Sequence, residues 1–429
     1  MRPLTPLPRS RKARGFTLVE LMVAVSGGMF IALAVFALAS DAGRFYKRES
    51  RVSDATLAGL VGFERLRVDL ARAGFLTTPN VRRDPRLCGD PVGDPSWTQE
   101  YRRLASIRIT QGGSPANATL TANGLAPDAV VLSGSYSSVD QFPIWNVQDT
   151  GATFIVFLQA NIGPLARMGY AASADQAALL NEVFTAGRGL RIQDVSGELQ
   201  YGTIQATVAG PIPQVILSQN PGIRFRQTAG NTCGLKGNVT GAVANVVNFV
   251  QYDLRDLSKE SNLGGANPAY APLYGDTVSA DFDGDRTDLV RVELDTSGTP
   301  IAGTEELVAE YAVDFKLGLT VINALLNNTD PTLNTFAPGD AQIPNWAGDV
   351  SVLANPNQGP HRIRAVRARL SVRSREPDRD APIVGALGTP IAPGLYRIAL
   401  GNNGAGAPYA RVRTLQADIT LHNQMELLW

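Results

Sequence analysis

Histidine is nearly missing from this chain. There are two in 429 residues, His361 and His422, and their separation matches no metal-ligand spacing. No G-x-S-x-G elbow and no phosphate-binding G-x-x-x-x-G-K-[ST] loop occurs. The sequence signatures of histidine-metal, serine-hydrolase and nucleotide chemistry are therefore missing, and the expectation is a protein that is not an enzyme. Charge is also scarce, at 18% of residues, and 39 basic side chains face 39 acidic ones. Five of the basic residues (Arg2, Arg9, Arg11, Lys12 and Arg14) fall in the first fifteen positions, where there is no acid. The remainder holds 34 basic residues against 39 acidic ones, a net of −5. A nucleic-acid binder carries a basic excess on its folded part, and this chain has none.

Cysteine is limited to Cys88 and Cys233. Two distant cysteines suit one disulfide in an exported protein, the alternative being two unrelated buried thiols.

What is abundant is punctuation. The 42 glycines and 27 prolines imply many turns and few long helices. The exception is the N-terminus. Leu21 to Ser40 contains no charged residue, and twenty residues of helix span about 30 Å, the thickness of a bilayer's hydrocarbon. The basic residues ahead of it hold the leader on the cytoplasmic side and send the rest across. A secretory signal peptide cut near Ala37–Ser40 and a plain signal anchor both fit that much. Neither accounts for Glu20, a carboxylate at the head of a membrane segment, which needs a partner.

The run Arg14-Gly15-Phe16-Thr17-Leu18-Val19-Glu20 resembles the class III signal of type IV prepilins and type II secretion pseudopilins. The resemblance implies cleavage after Gly15 by a membrane aspartyl peptidase and N-methylation of the new terminus at Phe16. Glu20 becomes the fifth mature residue. Its carboxylate can then pair with the ammonium at Phe16, within one chain or between neighbours in a filament, which sets assembly register. A side chain at position 15 would obstruct the peptidase's approach to the backbone. Gly27 and Gly28 permit bending or close helix packing.

Beyond Asp41 the pattern turns amphipathic, with Phe45, Val52, Gly59, Phe63, Leu66 and Leu70 on one face, and charges including Asp69 over much of the rest. Gly74 and Pro79 are stop signals, so one helix is expected from about Phe16 to Phe75. From Pro79 onward short apolar runs alternate with turns. Strands are expected at 106–110, 129–133, 153–158, 189–192, 214–217, 244–254, 288–294, 305–319, 362–373 and 411–421, with a short helix at 175–186. The last four form an antiparallel core sheet over the amphipathic half-helix, and 363–372 alternates with one wet basic face. The fold class is α+β, pilin-like: a long N-terminal helix, transmembrane then amphipathic, on an enlarged antiparallel β-sheet head. Its expected parts are a leader at 1–15, a membrane half-helix at 16–40, an amphipathic half at 41–76, an enlarged variable part at 77–280 and a core sheet at 281–429.

The 281–429 region, with Glu306-Leu307-Val308, Val313-Asp314-Phe315 and Val372-Arg373-Ser374-Arg375-Glu376-Pro377, also resembles PilW-type minor pilins. That resemblance implies a subunit that primes a pilus or forms its tip complex. Its partners would be other minor and major pilins, the prepilin peptidase, an inner-membrane assembly platform and a tip adhesin. It would reside in the inner membrane with a periplasmic head, then in the pilus. A J-type pseudopilin shares this plan, and a signal-anchored exported enzyme or binding protein is the alternative of another class. No cofactor is required. Asp281, Asp283, Asp285 and Asp288 resemble the first half of a calcium loop, but its twelfth position is Val292 rather than Glu, so a polar hairpin turn is preferred. Phe142-Pro143-Ile144-Trp145 reads as core packing or as a contact patch.

Overall fold

The computed structural model describes residues 17–226, 233–235, 239, 241–257, 286–323, 332–353, 355, 358–375, 394–398 and 409–425. Helix α1 runs over Leu18–Arg72, 55 residues, with no break at Gly27 or Gly28. It belongs to two compact parts, Met1–Ser53 and Asp54–Trp429, which divide within it.

In the first part the helix is bare. Leu18–Gly43 is long and apolar enough to cross a membrane, and none of it is buried. Large side chains such as Phe30, Phe36 and Leu38 are exposed. Phe45, expected on the packed face, is exposed too.

In the second part the helical stripe Ala55, Gly59, Gly62, Phe63, Leu66, Leu70 and Ala73 is buried. A Cβ at Gly62 would overlap the Val308 carbonyl oxygen and meet the Ala309 Cβ at 2.8 Å, so backbone approaches backbone where only glycine fits. Gly62→Ala should therefore destabilise the head by about 1–3 kcal/mol through overpacking, read as a lowered denaturant midpoint. The helix ends at Arg72, close to the expected stop. Gly74 adopts φ +80° and donates its N–H to Ser133 O at 2.9 Å.

Among the described residues the strands are all antiparallel and form two sheets. The first holds β1 (Ile107–Thr110), β2 (Ala129–Gly134), β3 (Phe142–Asp149), β4 (Phe154–Leu158), β5 (Gly189–Gln193), β6 (Leu199–Val208), β7 (Gln214–Leu217), β8 (Val243–Arg255), β9 (Asp288–Leu294) and β10 (Glu306–Ala309). The second, in order β12-β11-β13-β15-β14, holds β11 (Ala312–Asn323), β12 (Thr332–Phe336), β13 (Ile363–Arg373), β14 (Leu395–Arg397) and β15 (Tyr409–Thr420). Strand β8 organises the first sheet. Its early half pairs with β5 and β3, and its later half with β2 and β9. The pairings β8-β3-β4-β7-β6-β5-β8 close a six-stranded barrel. Its interior is filled by Phe142, Ile144, Val156, Leu190, Val215 and Val246 among others. A separate core joins Phe63, Leu66 and Leu70 of α1 to both sheets. The first sheet contributes Leu132 of β2 and Tyr252 of β8, and the second contributes Phe315 of β11 and Val366 of β13.

Three expectations need correction. The last four long strands do not form one sheet: β9 pairs with β8 and β10, so the first sheet takes strands from both sides of position 281. The run 305–319 is broken into β10 and β11 at Tyr311, whose φ of +54° turns the chain between sheets. The basic face of β13 is only half wet. Arg364 and Arg373 are buried, while Arg367 and Arg369 meet Asp418 and Asp314 at 2.7 and 2.9 Å.

Cys88 and Cys233 are joined, with Cα atoms 5.6 Å apart across 145 residues of sequence. The closed loop contains β1 to β7, so the bridge restricts much of the unfolded chain. Replacing both cysteines by alanine should cost about 2–5 kcal/mol, measured as a shift in denaturant midpoint against the oxidised wild type.

His361, just ahead of β13, is 1% exposed. Its Nδ1 accepts from the Asn80 amide at 3.0 Å, which places the ring proton on Nε2. Burial first, then Arg362, Arg83 and Arg364, lower its pKa to about 3. The folded pKa lies below the unfolded one, so the unfolded chain binds the extra proton. Stability from this group is complete above about pH 6.5 and falls by up to about 1.4 kcal/mol per pH unit toward pH 3. His361→Gln should flatten that acid limb in denaturation curves taken across the window; an unchanged limb would contradict the assignment.

Candidate functional site

The first turn of α1 explains how Glu20 is held. Thr17 precedes the helix and its carbonyl accepts the first helical bond, from Leu21 N at 3.1 Å, which makes it the N-cap. Its hydroxyl oxygen accepts from Glu20 N at 3.2 Å. In return Glu20 Oε2 accepts from the Thr17 N–H and the Thr17 hydroxyl, both at 3.0 Å. This reciprocal arrangement is a capping box, and it satisfies two of the N–H groups that a helix start leaves unpaired. The carboxylate also lies where the positive end of the helix dipole favours an anion. Glu20 Oε1 accepts nothing from a described residue. The Thr-x-x-Glu spacing was present in the sequence and signals this cap.

Gly15 and Phe16 lie outside the described residues. A sequence model described as the prokaryotic N-terminal methylation motif matches residues 10–26. The chain has a prepilin-like N-terminus. The matched segment contains Gly15, Phe16 and Glu20, and runs into the exposed apolar helix. No curated protein and no solved structure matches the chain.

A second set of residues, not evident in the sequence, holds the later part of the prepilin-like helix to the head. The sequence pattern puts Asp69 on the polar face, but it is 1% exposed. It lies between Leu66, Leu70 and Ala73 at helical spacing, so it shares their face. Its Oδ2 accepts from Arg291 Nε of β9 and from the Tyr252 hydroxyl of β8, each at 2.8 Å. Its Oδ1 lies 3.6 Å from Arg65, which reaches Glu306 of β10 at 3.2 Å. Tyr136 donates to the Asp69 carbonyl at 3.0 Å. Burial, then the Asp69 charge, push the Tyr252 hydroxyl well above its ordinary pKa, so it remains a donor. One helical carboxylate thus fastens α1 to β8 and β9.

Of the four candidate calcium ligands, Asp281, Asp283 and Asp285 lie outside the described residues. Asp288 is fully buried at the start of β9, where it accepts from Arg286 Nε at 2.9 Å and Tyr311 N at 2.8 Å. Among the described residues no group of three or more His, Cys, Asp or Glu side chains is placed to hold a metal. Phe142 and Ile144 face the barrel core, while Trp145 is 55% exposed.

Proposed function

We propose that this chain is a PilW-type minor pilin that primes a type IV pilus or forms its tip complex. The observation that carries the reading is the methylation motif at the head of a bare apolar helix segment, charge-free from Leu21 to Ser40, whose Glu20 is held at the first turn. The peptidase cuts after Gly15, and the new ammonium at Phe16 is methylated. Apolar surface spanning Leu18–Gly43 is stable only in a bilayer or against other apolar helices, and a filament core supplies the second setting. The second oxygen of Glu20 takes the ammonium of a neighbouring subunit, which fixes the axial register. The work is packing, not catalysis, and needs no cofactor. Before assembly the chain is a single-pass inner-membrane protein with an exported head, a setting in which the Cys88–Cys233 bridge persists.

A J-type pseudopilin would use the same helix, and the motif is common to both. Deleting the gene should remove surface pili while leaving the set of secreted proteins unchanged. Retained pili with lost secretion would reject the pilus assignment.

A further inference from the structure

The outer face of the barrel strands β3, β4, β7 and β6 has an unusual composition. Across all four strands the only charged residue is Asp149, at the far end of β3, where it accepts from Gln219 at 3.2 Å. Pairing sets two rows of outward side chains across this face. One row is Asn146, Phe157, Gln214 and Val208; the other is Gln148, Ile155, Ile216 and Ala206. The first row alternates neutral amides with apolar side chains and the second sets one amide beside three apolar side chains, over three strand spacings, about 14 Å.

Two bulges enrich the face. The register slips between Ile144 and Asn146, which makes Trp145 an extra residue in β3, and between Ile204 and Ala206, which makes Gln205 an extra residue in β6. Such insertions re-aim side chains. Trp145 and Gln205 are both exposed. The Trp145 ring stands edge-on to Phe157, with centroids 6.3 Å apart, which fixes it without covering it.

We propose that this face binds a neutral carbohydrate, two or three sugar units laid across β3-β4-β7-β6. A sugar ring offers an apolar C–H face for Trp145 and Phe157, and hydroxyls that both donate and accept, which suits the amides of Gln148, Gln205 and Gln214 and the Nδ2 of Asn146, whose Oδ1 already accepts from Val147 N at 2.9 Å. The described residues give this face no cation to select phosphate, sulfate or sialic acid, and no anion inside it to select a basic peptide. A protein partner would have to supply matched amides opposite four uncharged ones, whereas hydroxyls reorient to fit. Sugar binding here goes beyond pilus assembly and stands or falls separately from it.

The test applies the full-length protein, in a detergent without a sugar headgroup, to immobilised neutral oligosaccharides ending in glucose, galactose, mannose or N-acetylglucosamine, with sialylated and sulfated ones beside them. Binding to neutral members that is insensitive to salt is expected. Trp145→Ala should weaken it about tenfold or more, Trp145→Phe should retain most of it, and Gln214→Ala should weaken it too. Trp145 is exposed, so the melting temperature serves as the folding control. Binding of acidic glycans alone, no binding at millimolar ligand, or wild-type binding by Trp145→Ala would overturn the proposal. So would a Trp145→Ala variant whose only change is loss of self-association, since the face would then cover a second copy.

Discussion

Glu20→Val should leave cleavage after Gly15 intact and reduce entry of the subunit into filaments by at least about tenfold. A carboxylate placed in apolar surroundings costs about 2.5–3.5 kcal/mol, and an ammonium that recovers this energy on assembly converts it to a factor of about seventy to some hundreds. The measurement is the ratio of subunit in sheared filaments to subunit in membranes. Two companion variants separate charge from cap. Glu20→Gln can still complete a capping box with Thr17 but brings no charge, so it should fail nearly as badly as Glu20→Val. Thr17→Ala loses the cap and keeps the charge, a cost of about 1 kcal/mol, and should assemble far better than either. Normal assembly of Glu20→Gln would show that the carboxylate serves only its own helix.

Asp69→Ala should be the most damaging single change in the head. It leaves Arg291, 6% exposed, without the carboxylate it meets at 2.8 Å, and removes the acceptor of the buried Tyr252 hydroxyl. Breaking one side of a buried pair costs about 3–5 kcal/mol, because the surviving charge stays buried. The expected result is a lowered denaturant midpoint, with faster proteolysis of the segment that follows α1. Asp69→Leu combined with Arg291→Met should recover much of the loss, since buried pairs are often replaceable by apolar residues. A midpoint unchanged in Asp69→Ala would mean that apolar packing at Phe63, Leu66 and Leu70 holds the helix unaided.

Local features of this fold were legible in the sequence. The charge-free run, the turn at Gly74, the two cysteines and most strand positions rest on composition and short-range pattern. Strands β3, β6, β12 and β14 were not recognised. In β3, a proline and the bulge at Trp145 interrupt alternation; β6 carries Gly202, Gln205 and another bulge. Closure of the barrel was equally hidden, because it depends on β8 pairing with different strands along its two halves, and no local signal encodes that choice. The division of the last strands between sheets turns on one residue, Tyr311, with positive φ. Asp69 was misplaced for a related reason. A carboxylate amid helical charges reads as solvated unless the buried arginine opposite is known, and Arg291 lies 222 positions away. At the N-terminus the opposite holds: the motif names Gly15, Phe16 and Glu20 directly, and the structure adds the cap at Thr17.

The most direct measurement is the mass of the mature protein's N-terminal peptide, taken from membranes and from filaments. A chain that begins at Phe16 and carries one methyl group on its amine is the expected result. An intact Met1, or a terminus created near Ser40, would contradict it, because Glu20 would then have no ammonium to meet.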